Sequence, residues 1–222
     1  NADYILVTND DVWADRKVIE ELVKIAEKDS EIGFVTGKVY FYDVNGKKNI
    51  LQTVGKKLKS PPCFTDHIGL GEEDLGQYNE ISERFLCDDV FMLVRKKVVE
   101  KTKGYDEDFF LHHEEVDWQM RSRRLGYKIY YTPHAKLWHK VGMSTGGLGS
   151  PLRHFYYVRN EILIIKKHGT HKQFGRYLFK NIFYIMPKFF VVKILQKRLD
   201  LLIAHFKGFV SGFIFVLGRN SS

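Results

Sequence analysis

Tyr4-Ile5-Leu6-Val7 is an apolar run of strand type that ends on Thr8-Asn9-Asp10-Asp11, and Val18, Ile19, Leu22, Ile25 and Ala26 then recur at helical spacing. A second strand run, Gly33 to Tyr42, follows at once. This strand–helix–strand alternation predicts an α/β sheet, because each element has an apolar face that only the others can cover. A strand apolar on both faces belongs inside a parallel sheet, with neighbours on either side. The chain starts at Asn1 with no element before the first strand, so the expectation is a fragment lacking upstream βα units of about 30 residues or more each. Carboxylates at the carboxyl end of such a strand lie where α/β sheets bind ligands. Asp15 already serves as a cap for the following helix, which leaves Asp10 and Asp11 as a divalent-metal candidate.

Asn45-Gly46 before Ile50-Leu51 predicts a hairpin turn with a return strand. Residues 55–84, with several glycines, Pro61-Pro62 and mixed charge, predict a long irregular excursion of the kind that usually carries function. Phe85-Leu86-Cys87 and Val90 to Val94 read as one strand interrupted by Asp88-Asp89, two acids that need a cleft or a partner there. Arg95 to Lys103 reads as a short helix. Further on, Tyr127 to Tyr131 reads as a strand stopped by Pro133, with Ala135 to Trp138 a second extended piece ending at His139-Lys140. Ser144-Thr145-Gly146-Gly147 suits a flexible loop folding over a phosphate.

Phe109 to Arg121 holds the densest chemistry: His112, His113, Glu114, Glu115 and Asp117 stand where a loop enters a helix. Val116, Met120 and the Trp118/Leu125 pair set the helical spacing, Arg121, Arg123 and Arg124 crowd its last turns, and Gly126 stops it. Exposed N–H groups in the first turn stabilise carboxylates there by about 0.3–1 kcal/mol each, which keeps them ionised and fit to act as bases. The plainer reading is ordinary N-terminal decoration, with Asp117 paired to Arg121 one turn on.

Charge divides the 222 residues unevenly. Residues 151–222 hold 13 Lys and Arg against 2 Asp and Glu, whereas residues 1–150 hold 22 against 25, so the overall +8 comes from the tail. That tail predicts helices around Phe155 to Ile165, Phe174 to Met186, Phe189 to Phe206 and Phe209 to Leu217. No stretch has about 18 uninterrupted apolar residues, with Asp200, His205 and Lys207 breaking the longest, so a spanning helix is not expected. Basic helices rich in aromatics suit an anionic membrane surface, and part of the tail must also cover the sheet. Nucleic acid is not expected as a partner, since no binding module accompanies the charge. Cys63 and Cys87 lack metal spacing and suggest a reducing compartment. The expected location is cytoplasmic, peripheral on the inner face of the cell membrane.

Asp3 to Asp11 resembles the strand and metal motif of family 2 inverting glycosyltransferases of the GT-A fold, rhamnosyltransferase-like members above all. Gly104-Tyr105-Asp106-Glu107-Asp108-Phe109-Phe110 through Glu114-Glu115-Val116-Asp117-Trp118, with Arg121, Arg124 to Tyr127, Pro133, Ala135-Lys136 and Trp138-His139-Lys140, is similar to that family's second signature block. The resemblance spans roughly residues 3–170. It implies a partial GT-A catalytic domain at 1–150, a mixed sheet flanked by helices, and the charge and aromatic content of the tail add a basic amphipathic, membrane-associating helical region at 151–222. It further implies a nucleotide-sugar donor and a glycan or lipid-linked acceptor. Asp11 would coordinate Mg²⁺ or Mn²⁺ on the donor diphosphate, with Asn9 and Asp10 in support and His139 and Lys140 adding metal or diphosphate contacts. Glu115 matches the catalytic base, with Glu114 and Asp117 as alternatives; Trp118 would shape the acceptor side and Asp89 would lie beside the acceptor. Oxygen-rich ligation suits those cations, which offset charge on the departing diphosphate. The rival readings are a membrane-surface scaffold of the same fold and a metal-dependent phosphohydrolase using Asp10 and Asp11.

Overall fold

A computed structural model describes residues 2–59, 64–140 and 149–218. The chain divides into two units. One comprises Asn1–Ser60, Phe64–Asp106 and Trp118–Met143, and the other Pro61–Cys63, Glu107–Asp117 and Ser144–Ser222. Glu107–Asp117 therefore groups with the helical tail, although the sequence reading placed it in 1–150. The expected roles of Pro61-Pro62, Cys63 and Ser144 to Gly147 fall outside the described residues.

The first unit runs β1 (Tyr4–Thr8), β2 (Val12–Ala14), α1 (Val18–Ala26), β3 (Ile32–Phe41), β4 (Leu51–Thr53), β5 (Lys56–Lys59), β6 (Phe64–His67), β7 (Ser82–Glu83), β8 (Phe91–Arg95) and α2 (Lys96–Thr102). After α3 (Glu114–Arg124), in which the division between units falls, β9 (Lys128–His139) completes the sheet. Its strand order is β1-β8-β3-β9-β2, with β4 on β3 and β7 on β9. Only β3 and β9 pair in parallel; β8 runs antiparallel to both β1 and β3. The mixed sheet is as expected, but β1 is not a buried parallel strand. It forms an edge, and Ile5 and Leu6 are exposed.

Burial explains the centre of the sheet. Nine of the ten β3 residues are buried, and α1 lays Val18, Leu22, Ile25 and Ala26 into a cluster with Val35, Val39, Leu93 and Leu137. Ile19, expected in that stripe, is exposed. Asp15, expected to cap α1, does not: Lys17 is the N-cap and no side chain caps it, and Asp15 instead accepts from the Lys17 backbone N–H in the turn before the helix. Asn45 (φ 54°) and Gly46 (φ 83°) form the expected turn, and β4 returns against β3.

Three strand expectations change. Pro133 does not stop a strand: β9 continues through it, and the pairing with β3 slips between Thr36 and Lys38. A bulge is where a sheet tolerates the missing N–H. Opposite it stands Gly37, where a Cβ would collide with the Ala135 carbonyl. The strand expected from Phe85 begins only at Phe91, since Asp88 turns the chain by accepting from the Val90 N–H. The 55–84 excursion is more ordered than its composition suggests. It contains the antiparallel β5–β6 pair, and Asp74 accepts from buried Lys38 at 2.7 Å and from the Tyr40 hydroxyl at 2.5 Å.

The helical unit contains α4 (Pro151–His168), α5 (His171–Lys180), a π-helical turn at Asn181–Ile185, α6 (Met186–Leu195) and α7 (Leu199–Gly218). Ser150 caps α4 with Pro151 in its first turn, and Thr170 and Gln173 form a reciprocal capping box on α5. The break expected near residue 208 instead lies at Gln196–Arg198, where Lys197 adopts φ 55°. Joining those segments bears on a second expectation, that no helix would suit a membrane span. α7 is 20 residues long, and an 18-residue window within it has a mean hydropathy of 1.8 with 39% of the window buried within the structure, so by length and composition it could cross a membrane. Lys207 is its only Lys or Arg, so the basic character of the tail resides in α4 to α6 and the turn after them. α7 packs on α4 through Gly208 and Gly212, where added Cβ atoms would lie 2.5 Å from the Phe155 carbonyl oxygen and 2.9 Å from that of Arg159.

Candidate functional site

In the first unit the candidate residues gather where β1 ends and β9 ends. Val12 pairs with His139 across β2 and β9, and the Lys140 N–H donates to the Asp11 carbonyl at 3.0 Å. That register brings His139 Nε2 to 3.1 Å from Asp11 Oδ1, with both side chains largely buried. Asn9 Nδ2 also lies 3.1 Å from Nε2, and Nδ1 is 2.8 Å from Gln52 Oε1. An amide oxygen can only accept, so Nδ1 carries a proton, and in the neutral ring Nε2 is the lone-pair atom facing Asp11. Asp11 Oδ1 is itself buried without a hydrogen-bond donor. Two lone-pair atoms converging at that spacing form a setting that a cation would relieve.

The donor set suits a hard divalent ion: one carboxylate and one imidazole oriented by Gln52. Among the described residues no three His, Cys, Asp or Glu side chains gather into a complete metal cage. Asp10 is exposed, and Lys140 is exposed with its ammonium 4.8 Å from the centre of the Tyr42 ring. Gln52 escaped the sequence reading because one amide on a return strand carries no pattern. Its only signal was a polar residue between Leu51 and the buried Thr53.

Asp88 and Asp89 separate in role. Asp88 lies 3.1 Å from Lys56 and 3.6 Å from His67, both on the β5–β6 hairpin. Burial alone would push its carboxyl up, but Lys56 and His67 beside it hold it down at about 2. This answers the cost of an acid within an apolar stretch. Asp89 is half-buried in the turn before β8.

Trp118, expected on the acceptor side, is a core residue only 3% exposed. Its ring meets Phe34 and Tyr105 edge-on, and its Nε1–H donates to Thr102 at 2.7 Å. Arg121 donates to the carbonyls of Thr102 and Gly104. Gly126 (φ 88°) ends the helix as expected, whereas Leu125 is exposed.

In the helical unit, Glu114, Glu115 and Asp117 form the first turn of α3, as the spacing required. The His113 carbonyl accepts the first helical bond, from the Asp117 N–H at 2.9 Å. Leu111 (φ 51°), His112 (φ 88°) and His113 (φ 72°) all lie in the left-handed region, which costs about 1–3 kcal/mol per non-glycine residue. Three in succession mark a segment held by its surroundings. Asn160, fully buried on α4, donates from Nδ2 to the carbonyls of Phe110 (3.0 Å), Leu111 (3.4 Å) and His112 (2.8 Å). Glu115 is 9% exposed, whereas Asp117 is fully buried, with Lys167 Nζ and His168 Nε2 each 2.7 Å from its Oδ1. Asp117 is thereby committed within its own unit.

A third cluster, unforeseen from the sequence, surrounds Glu161. The Tyr177 hydroxyl donates to its carboxylate at 3.0 Å, and Asn181, at the head of the π-helical turn, donates to Tyr177 at 3.2 Å. Burial drives the Glu161 carboxyl up to about 7, while hydrogen bonds from Tyr157 and Tyr177 partly oppose the shift.

No family model matches the chain. It is 29% identical over 82 residues to the dTDP-rhamnosyl transferase RfbF of Shigella flexneri, a match covering 34% of this chain and 28% of that protein. Among solved structures it is similar to GalNAc-T7 with UDP, GalNAc and Mn²⁺, at a TM-score of 0.53 and 12% identity over 74% of this chain and 31% of that one. A197 from STIV gives a TM-score of 0.40 at 15% identity over 62% and 57%. The chain thus spans under a third of the rhamnosyl transferase and of GalNAc-T7. The likeness to GalNAc-T7 and the weak sequence similarity to the rhamnosyl transferase support a glycosyltransferase-like mixed α/β fold.

Proposed function

We propose that this chain is part of a family 2 inverting glycosyltransferase of the GT-A type. It would move a sugar from a nucleotide-diphosphate donor to a hydroxyl of a glycan or lipid-linked acceptor, in cell-surface polysaccharide or glycolipid synthesis. The observation that carries the reading is the approach of Asp11 Oδ1 and His139 Nε2 to 3.1 Å, with Gln52 fixing the imidazole. Asp11 and His139 would hold Mg²⁺ or Mn²⁺, which when bound offsets negative charge on the leaving diphosphate. Asn9, Asp10 and Lys140 stand beside them to meet the ribose and phosphates.

On the acceptor side, Glu115 is the proposed base, with Glu114 next to it as the alternative. The acceptor oxygen bonds to the anomeric carbon as the bond to diphosphate breaks, and the hydroxyl proton passes to the carboxylate. Asp117, bound to Lys167 and His168, supports the turn that carries them. The helical unit contributes membrane contact in this reading. Phe179, Phe183, Tyr184 and Leu195 are exposed among Lys180, Lys188 and Lys193, a mixture suited to an anionic bilayer surface.

The test is a panel of nucleotide sugars with Mn²⁺ given to the full-length protein, scored by release of nucleoside diphosphate. Glu115→Gln is expected to lower kcat by about 10²–10⁴-fold. Undiminished transfer in that variant would reject Glu115 as the base, and phosphate release from simple phosphoesters would favour a phosphohydrolase.

A further inference from the structure

We infer that Asn160 and Arg159 are positioning residues for the acidic turn of α3, a role that rests on the glycosyltransferase reading. The segment Asp108 to His113 leads into Glu114 and Glu115; Leu111 and His112, both left-handed, and Phe110 before them turn their carbonyls toward a single point on α4, while the carbonyl of left-handed His113 starts α3. The Asn160 amide fills that point. Its orientation follows from its other contact: Arg159 Nη1 donates to Asn160 Oδ1 at 2.8 Å, so the amide oxygen is engaged and the NH₂ must face the carbonyls. The same Nη1 donates to the Asp108 carbonyl at 2.8 Å. One guanidinium and one amide thus hold the segment at Asp108 and again at Phe110 to His112.

Arg159 is held in turn. Its guanidinium lies 5.0 Å from the centre of the Phe215 ring on α7, and Gly212 packs against its backbone carbonyl. These contacts, all within the helical unit, therefore fix the turn that carries Glu114 and Glu115, and with it the aim of whichever carboxylate takes the acceptor proton. A shift of about 1 Å in such a group costs on the order of 100-fold in rate. Neither residue needs to touch substrate for this.

Asn160→Ala removes the donors, and Asn160→Asp keeps the size while replacing the donors with acceptors. In the full-length protein both are expected to lower kcat for transfer about 100-fold with KM for the nucleotide sugar unchanged, and to speed amide exchange at residues 110–117. Unchanged exchange, or faster exchange with wild-type kcat, overturns the proposal. If both variants unfold, Arg159→Met keeps most of the side chain's length but removes both donations, and is judged by the same two readouts. Glu114→Gln and Glu115→Gln run alongside. If both transfer at the wild-type rate the base assignment fails, while a kcat loss in the Asn160 variants beside such controls shows positioning of some other group.

Discussion

Asp11 and Asp117 each have a histidine within about a hydrogen bond's length, yet their surroundings serve opposite ends. Around Asp11 the imidazole offers a lone pair and the buried oxygen lacks a donor, so the cluster is short of positive charge. Around Asp117 an ammonium and an imidazole converge on one oxygen of a fully buried carboxylate. In the proposed reading a cation completes the first arrangement, whereas the second is complete within the fold. A carboxylate beside a histidine therefore says little about role until the remaining partners are counted.

The largest expected effect breaks the satisfied member. Asp117→Ala should destabilise the helical unit by about 3–5 kcal/mol, since it strips a buried pair of its acid; thermal unfolding measures this, and the change should not depend on Mn²⁺. Glu161 sharpens the contrast through pH, being a buried acid without a cation among its named partners. Its carboxyl sits at about 7 in the fold against an ordinary value of 4.5. The stability it favours is thus fully present below about 4.5 and is lost as pH rises through 7. Glu161→Gln should flatten that dependence and stabilise the protein by up to about 3 kcal/mol at pH 8, read from denaturant midpoints across pH. The smallest effect probes the unsatisfied member: Gln52→Ala should weaken Mn²⁺ binding by about 10–100-fold without changing stability in its absence. Titration calorimetry checks it, and unaltered affinity would place the ion elsewhere.

Much of the architecture was legible because periodicity and capping act locally. α1, β3, the Asn45-Gly46 turn, α3 with its Gly126 stop, and α4 all follow from apolar spacing and end residues. What escaped depends on partners distant in the chain. Pro133 looks like a strand end until β3 supplies Gly37 opposite the bulge. Lys207 and His205 look like interruptions until α7 is seen to continue past them. The candidate site was half legible: Asp11, His139 and the acids of α3 could be named from their motifs, but Gln52, Lys167, His168 and Asn160 could not. Those four matter through single side-chain contacts, and one hydrogen bond leaves no repeat in a sequence. Asn160 and Glu161 did leave a trace, as two polar residues opening an otherwise apolar stretch of α4.

The seam between Gly208 and Gly212 on α7 and the backbone of α4 has a consequence for how the last helix can vary. The recess is walled by main-chain oxygens, which no neighbouring substitution can trim, so larger residues at these two positions would lever the helices apart rather than repack them. Drift in this segment is thereby confined to its outward stripe around Ile203, Phe206 and Ile214. Two missing side chains keep the inner edge in register while the outer one is free to follow whatever surface it meets.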